Sequence, residues 1–318
     1  IKGASLKRIV CVGNPTMISI LQRKDLKPLG HFPYRCDVLT SSYCVLSFKQ
    51  LGSIQTFFPY AVSAFIGSDI ISGIIATKML YQPKDTLLID LGTNGEMVLK
   101  AKGNLFACSA AAGPAFEGVG ISCGSPSIAG AITSYRSFDQ ENYDTIDDKE
   151  AIGFCGSGLV DLLSVLISNG HILEDGSIRD GNNHIKIPVS SQYFALTQKD
   201  IRNVQLAKAA IAAALTILMK ECDLEIKDIT DIIIAGGFGT KVTASSLNTI
   251  KLIPKVWIKN SRSMGNLALQ GAKSLLLSKE AMVAYESIKQ KIRVVELSGK
   301  KCFENAFFDN LSFKEFSL

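Results

Sequence analysis

Asp90 follows an apolar run, Leu87-Leu88-Ile89, and after Leu91 come Gly92, Thr93, Asn94 and Gly95 before Glu96 leads into a second apolar run. A carboxylate at such a strand end is placed to hold a metal ion or a metal-bound water. Backbone amides around Gly92 and Gly95 can approach a phosphate that any Cβ would obstruct. The same letters also spell a plain hairpin, because Asn94-Gly95 between two apolar runs is the strongest short-range pattern for a type I′ turn. Taken alone, the hairpin is the simpler reading, and other segments must decide between the two.

Three further segments bear on that choice. Ile232-Ile233-Ile234-Ala235-Gly236-Gly237-Phe238-Gly239 reads as a buried β-branched strand that stops at Ala235, where adjacent glycines let the chain turn sharply beneath something flat. An ordinary strand-to-helix turn explains these residues equally well alone; paired with Asp90 to Glu96, a shared nucleotide cleft explains both. Residues 110–131, which include Gly113 and Glu117, are small and glycine-rich enough to wrap a ligand, with a solvent loop or close-packed helix start as the alternative. Gly156, Ser157 and Gly158 precede an apolar helical run and leave its first amides open to an anion. Their glycine order is wrong for the dinucleotide fingerprint G-x-G-x-x-G, and no clear strand precedes them, so a Rossmann reading is rejected.

The elements that must position these residues follow from periodicity. An opening strand is expected over Ile9–Val12, irregular loops and short strands over 26–58, and a helix over Phe65–Leu80. A three-stranded antiparallel meander is expected over Leu87–Asp90, Met97–Ala101 and Leu105–Ser109, and an exposed strand and turn over Tyr135–Glu150. Thr197–Glu221 carries a capping-box pattern, Thr197 with Asp200, and apolar residues at helical spacing, which predicts a core helix. Helices through Leu277 and over Met282–Lys291, a strand over Arg293–Leu297 and a Phe-rich tail complete the chain. Two domains are expected, 1–82 as the remainder of a first lobe with its connecting helix and 83–318 as a second lobe.

Bulk properties exclude several classes. With 318 residues, 47% hydrophobic and 20% charged, the chain reads as globular with a large buried core. The net charge of +5 is scattered, so no nucleic-acid partner is expected. The eight cysteines never form C-x-x-C, which predicts reduced thiols and no iron-sulfur cluster held by this chain. Residues 1–10 lack the order of a secretory signal, and the most apolar stretches carry Asp69 and Lys208 where a membrane span needs about 20 uninterrupted apolar residues. A cytoplasmic protein without a membrane partner is expected.

The order of motifs resembles the acetate and sugar kinase, heat-shock chaperone and actin superfamily (ASKHA). In that superfamily two RNase H-like lobes close on ATP, a D-x-G-T-type hairpin in each lobe handles phosphates, and an A-G-G-x-G turn holds adenosine. Within it, V-G-N-P-T-M (12–17), F-I-G-S-D (65–69), L-L-I-D-L-G-T-N-G-E (87–96), A-C-S-A-A-A-G-P-A-F-E-G (107–118), C-G-S-G-L-V-D (155–161), T-Q-K-D-I-R (197–202), A-G-G-F-G (235–239), G-N (265–266) and V-E-L-S-G (295–299) resemble the reductive activators of corrinoid-dependent methyltransferase systems. The resemblance spans nearly the whole chain and keeps the family's order.

It implies an α/β chain of RNase H-like lobes that uses ATP and Mg²⁺ to drive reduction of a corrinoid protein from Co(II) to Co(I). Asp90 would bind Mg²⁺ through water or orient the attacking water. Gly92, Thr93, Asn94, Gly95 and Glu96 would serve the phosphates, and Gly236, Gly237, Phe238 and Gly239 would border adenine and ribose. Gly113 and the Gly156-Ser157-Gly158 run would line the nucleotide, and Glu117 is a candidate for polarising water or holding a cation, with a surface or capping carboxylate as the alternative.

Two departures matter. The family's iron-sulfur domain has no counterpart in these residues, so the electron would come from a missing N-terminal region or another chain. No D-x-G-T strand precedes Val12-Gly13-Asn14, so the first lobe is expected to be incomplete, in a fragment or a natural short form. Ser125-Pro126-Ser127 also stands where relatives tend to carry a basic residue. The competing readings are a non-catalytic module that docks a corrinoid protein and a small-molecule kinase of the same fold. Relatives suggest a homodimer.

Overall fold

The structure, a computed structural model, describes residues 6–49, 52–138, 142–190, 192–237 and 241–315. β1 (Arg8–Val10) is shorter than the expected strand and gives way to Gly13 and Asn14. The Asn14 side chain accepts from the Met17 amide and caps α1 (Pro15–Leu21), in which the missing Pro15 N–H removes no helical hydrogen bond. The stretch expected to be irregular also holds two seven-residue strands, β2 (Ser42–Phe48) and β3 (Gly52–Phe58). They form a sheet of order β1-β3-β2 in which β1 runs parallel and β2 antiparallel to β3. α2 (Ser68–Ala76) starts later than expected, after an extended Gly67 that lies so close to the chain that a Cβ there would stand 2.2 Å from the Gly13 carbonyl oxygen.

β4 (Thr86–Leu91), β5 (Gly95–Ala101) and β6 (Asn104–Ala110) are the strands of the expected meander, hydrogen-bonded neighbours in that order. Leu87, Leu88 and Ile89 are all buried, the unbroken apolar run of a strand covered on both faces. β7 (Ala131–Ser137), β8 (Asn142–Thr145) and β9 (Gly153–Phe154) form a small sheet of order β8-β7-β9, and α3 (Gly156–Ser168) packs on β7. β10 (His184–Val189) and β11 (Gln192–Thr197) pair as an antiparallel hairpin, in a stretch where no element was expected. The alternation of buried Ile185, Ile187 and Val189 with outward residues was its mark in the sequence.

α4 (Gln198–Glu221) begins where the capping box placed it. The Thr197 hydroxyl accepts from the Asp200 amide, and the Asp200 carboxylate accepts from the Thr197 amide. Thr197→Ala is expected to lower stability by about 1 kcal/mol, read from urea unfolding. β12 (Asp231–Ala235), α5 (Ala244–Thr249), β13 (Ser261–Gly265), α6 (Leu267–Leu277), α7 (Lys279–Lys291), β14 (Ile292–Val294) and α8 (Lys301–Asp309) complete the order, the last folding the expected Phe-rich tail into a helix. The largest sheet has strand order β13-β12-β4-β5-β6-β14.

By its internal contacts the chain divides into two compact units. One gathers Ile1–Pro83, Val98–Ala107 and Asn266–Val294; the other gathers Lys84–Met97, Cys108–Gly265 and Val295–Leu318. In the first, α2 lies so close on α6 that a Cβ at Gly271 would stand 2.0 Å from the Ser72 carbonyl oxygen. Tyr60 and Tyr285 lock together there: the Tyr60 amide donates to the Tyr285 hydroxyl, and the Tyr60 hydroxyl to the Tyr285 carbonyl.

In the second unit α4 is the central core helix. It is the one helix among the described residues long and apolar enough to cross a membrane, and 83% of its apolar window is buried inside the protein. Lys208, in its middle, is fully buried, and its pKa is pushed down to about 7, chiefly by desolvation and then by Lys251. The folded chain therefore binds fewer protons at this site than the unfolded one from about pH 7 up to the ordinary lysine value of 10.5. Stability from this group rises with pH across that window, and the penalty is complete below it. Urea midpoints are expected to climb between pH 7 and 9 in the wild type and to climb less in Lys208→Met.

Candidate functional site

The parallel register of β12 on β4 sets Ala235 beside Asp90. The hairpin after Asp90 and the glycine turn after Ala235 thus leave the same carboxyl ends of neighbouring strands. β13 adds Gly265 opposite Ala235 through a register shift. In open sheets of parallel strands, ligands bind beyond these carboxyl ends.

Among the described residues, each of the two turns contains one closed glycine and one open glycine. A Cβ at Gly236 would stand 2.0 Å from the Leu91 carbonyl oxygen, and its φ of +111° lies where side chains are rarely tolerated. A Cβ at exposed Gly237 would meet nothing within 4 Å. In the hairpin, a Cβ at Gly95 would stand 2.6 Å from Cγ1 of Ile211 on α4, whereas at Gly92 its nearest neighbours would be 3.8 and 3.9 Å away. Gly236 and Gly95 are therefore required by packing, and Gly92 and Gly237 leave room for a ligand.

The expected type I′ turn is not formed. None of Gly92, Thr93, Asn94 and Gly95 has a positive φ, Gly95 is already the first residue of β5, and the Gly92 amide donates to the Asn94 carbonyl at 3.1 Å. A type I′ turn needs positive φ at both central residues. Tertiary contacts hold this hairpin instead. Exposed Thr93 donates its hydroxyl to Glu117 Oε2 at 2.8 Å, and Ile211 supports Gly95 from below. Glu117, half-buried, closes a 3-10 turn, Pro114–Glu117, flanked by Gly113 at φ +78° and Gly118 at φ +76°. Asp90 is half-buried at the end of β4.

Residues 84–318 match the family described as the C-terminal domain of RACo, the ASKHA domain, and residues 1–82 match the RACo middle region. The chain belongs to the RACo family. Every candidate site residue lies within its RACo ASKHA domain, and the fold is the ASKHA fold that the motifs implied. The chain is 31% identical over 333 residues to the corrinoid activation enzyme RamQ of Eubacterium limosum, covering 96% of this chain and 56% of that protein. It is 25% identical over 346 residues to a [Co(II) methylated amine-specific corrinoid protein] reductase of Methanosarcina barkeri, covering 97% of this chain and 63% of that one. A solved reductive activator for corrinoid, iron-sulfur protein superposes with a TM-score of 0.85 at 32% identity, over 96% of this chain and 52% of that one. The RACo-family chain thus spans about half the length of these relatives.

Other candidate residues of this RACo ASKHA domain serve packing. Gly156, Ser157 and Gly158 are all buried, so the expected open amides at the start of α3 are not presented as a surface anion site. A Cβ at Gly158 would stand 2.1 Å from the Ile132 carbonyl oxygen, and the Ser157 hydroxyl donates to the Thr133 carbonyl at 2.7 Å, contacts that seat α3 on β7. Glu96 is buried on β5, where its charge helps push the Cys108 thiol up, behind desolvation and Cys222. Phe238 and Gly239 lie outside the described residues.

Two further side chains meet partners that the sequence does not disclose. Lys241, shortly after the glycine turn, donates to the Thr133 hydroxyl at 3.1 Å. Asp161, buried in α3, accepts from the Ser246 hydroxyl at 2.7 Å, and desolvation raises its pKa. A lone lysine after a glycine turn carries no pattern of its own, and Asp161 is legible only as a motif carboxylate in the first turns of α3; the Thr133 and Ser246 partners come from the fold.

Proposed function

We propose that this chain is the nucleotide-binding part of an activator that spends ATP to return a Co(II) corrinoid protein to Co(I). The observation that carries the reading is the shared strand end, where Asp90 and Ala235 stand in register and each adjoining turn keeps an open glycine. Relatives named for corrinoid activation and corrinoid reduction support the reaction class. ATP, when bound, would supply its terminal phosphoanhydride.

Mg²⁺ accepts one or two carboxylates while keeping several waters, which suits a site with Asp90 and Glu117 as its acidic groups. Asp90 would hold the ion directly or through water. The amides of Thr93 and Asn94 and the Thr93 hydroxyl would hold phosphates, with Gly92 leaving room for their approach, while Gly236 and Gly237, with Phe238 and Gly239, would border adenosine. Glu117 would fix Thr93 and orient water. A nucleotide with different contacts in two arrangements of the protein biases their balance, and that bias is the work available for an otherwise uphill reduction. The electron would come from an iron-sulfur domain or reductase beyond these residues.

Calorimetric titration of the chain with Mg-ATP and Mg-ADP tests the reading. Saturable binding at about one site is expected, with hydrolysis stimulated by a Co(II) corrinoid protein. A folded chain that binds neither nucleotide would remove it in favour of a docking module, and hydrolysis that requires acetate or a sugar would instead point to a kinase.

A further inference from the structure

Lys208 is a fully buried lysine whose described partners are a carbonyl and a ring rather than a carboxylate. Its Nζ donates to the Ser312 carbonyl at 2.6 Å and stands 5.9 Å from the centre of the Phe313 ring. One turn earlier on α4, Gln205 donates to the preceding carbonyl, that of Leu311, at 2.9 Å. Two consecutive carbonyls of the C-terminal segment are thus gripped by two side chains spaced one helical turn apart. Phe313, 2% exposed, donates its amide to the Glu174 carbonyl at 2.7 Å, and α8 packs along α4 just before this segment. An apolar residue at 208 would fill the core without desolvating a charge, so the lysine is explained by what it holds.

What α4 touches on its other turns gives that grip a purpose. One turn beyond Lys208, Ile211 fills the space under Gly95 of the hairpin. Toward the start of the helix, Asp200 accepts from the Ser122 amide at 3.0 Å and Asn203 donates to the Gly120 carbonyl at 3.1 Å, both in the glycine-rich segment that carries Glu117. The helix therefore contacts both segments that meet through Thr93 and Glu117, and the C-terminal segment is tied to it between those contacts.

We infer that Asn310–Phe313 is a strap that fixes α4, and that Lys208 is through it a positioning residue for the Gly92–Gly95 hairpin. The inference rests on reading that hairpin as a phosphate site, but the contact chain itself does not. The strap transmits no charge to the site; it sets the height of Ile211 beneath Gly95.

The test is amide hydrogen exchange on the full chain, read over 92–97 and over β10 as a control, for the wild type, Phe313→Ala and Lys208→Met, with circular dichroism reporting folding. Loosening the strap is expected to speed exchange at 92–97 roughly tenfold while β10 keeps its wild-type rate. Mg-ATP affinity should fall in the same variants. Unchanged exchange at 92–97 in a folded variant overturns the inference, as does an equal acceleration in β10, which marks general destabilisation. If Phe313→Ala does not fold, Lys208→Met decides. A wild type that binds no Mg-ATP defeats the nucleotide reading, while the exchange rates still decide the strap.

Discussion

Gly236→Ala is expected to lower the stability of the protein by about 4 kcal/mol, whereas Gly237→Ala next to it is expected to change stability by less than about 1 kcal/mol. The added methyl at Gly236 would lie 2.0 Å from a backbone oxygen of β4, at a φ of +111°, so neither a rotamer change nor a small side-chain shift relieves it. At Gly237 the same methyl meets open space. Urea unfolding separates the two variants. Titration with Mg-ADP should rank larger changes oppositely: Gly237→Val keeps the fold and loses at least roughly tenfold in affinity, because a side chain that clashes with nothing in the free protein occupies the ligand's volume. Equal affinity in Gly237→Val and wild type would take the adenosine role away from this turn.

Asp90→Asn is expected to reduce Mg-ATP hydrolysis by roughly a thousandfold, about 4 kcal/mol of barrier, with a melting temperature close to wild type. The substitution keeps the shape of a half-buried side chain while removing the charge that would hold Mg²⁺. Single-turnover hydrolysis at saturating nucleotide isolates the chemical step from binding. Hydrolysis at the wild-type rate would rule out Asp90 as the metal residue and shift attention to Glu117.

The sequence disclosed the parts of this site better than their assembly. The apolar run before Asp90, the β-branched run before Gly236 and the capping box of α4 are local patterns, and each element stands where its pattern put it. What joins them is nonlocal. The register that sets Ala235 beside Asp90 links strands far apart in the chain, and no periodicity encodes it. Glycine was the weakest guide, because one residue type serves turns, close packing and ligand approach. Gly95 belongs to the second use, since its partner is Ile211; Gly113 and Gly118 provide positive φ around the turn that carries Glu117. The Gly156–Gly158 run is ambiguous for the same reason, because the Ile132 carbonyl alone is enough to require a glycine at 158. The β10–β11 hairpin is legible in the alternation of Ile185, Ile187 and Val189 with outward residues.

The hydrogen bond from Thr93 to Glu117 sets a condition on anything that binds here. A threonine hydroxyl has a single proton to give. A phosphate that takes this proton must take it from the carboxylate, so arrival of the ligand is an exchange of acceptors rather than the filling of an empty valence. The gain from that one contact is the difference between two charge-assisted bonds, smaller than either alone. Under the proposed reading, Glu117 would lose its donor as the phosphate arrived, which would free an acceptor for a water molecule when there is a bond for that water to attack.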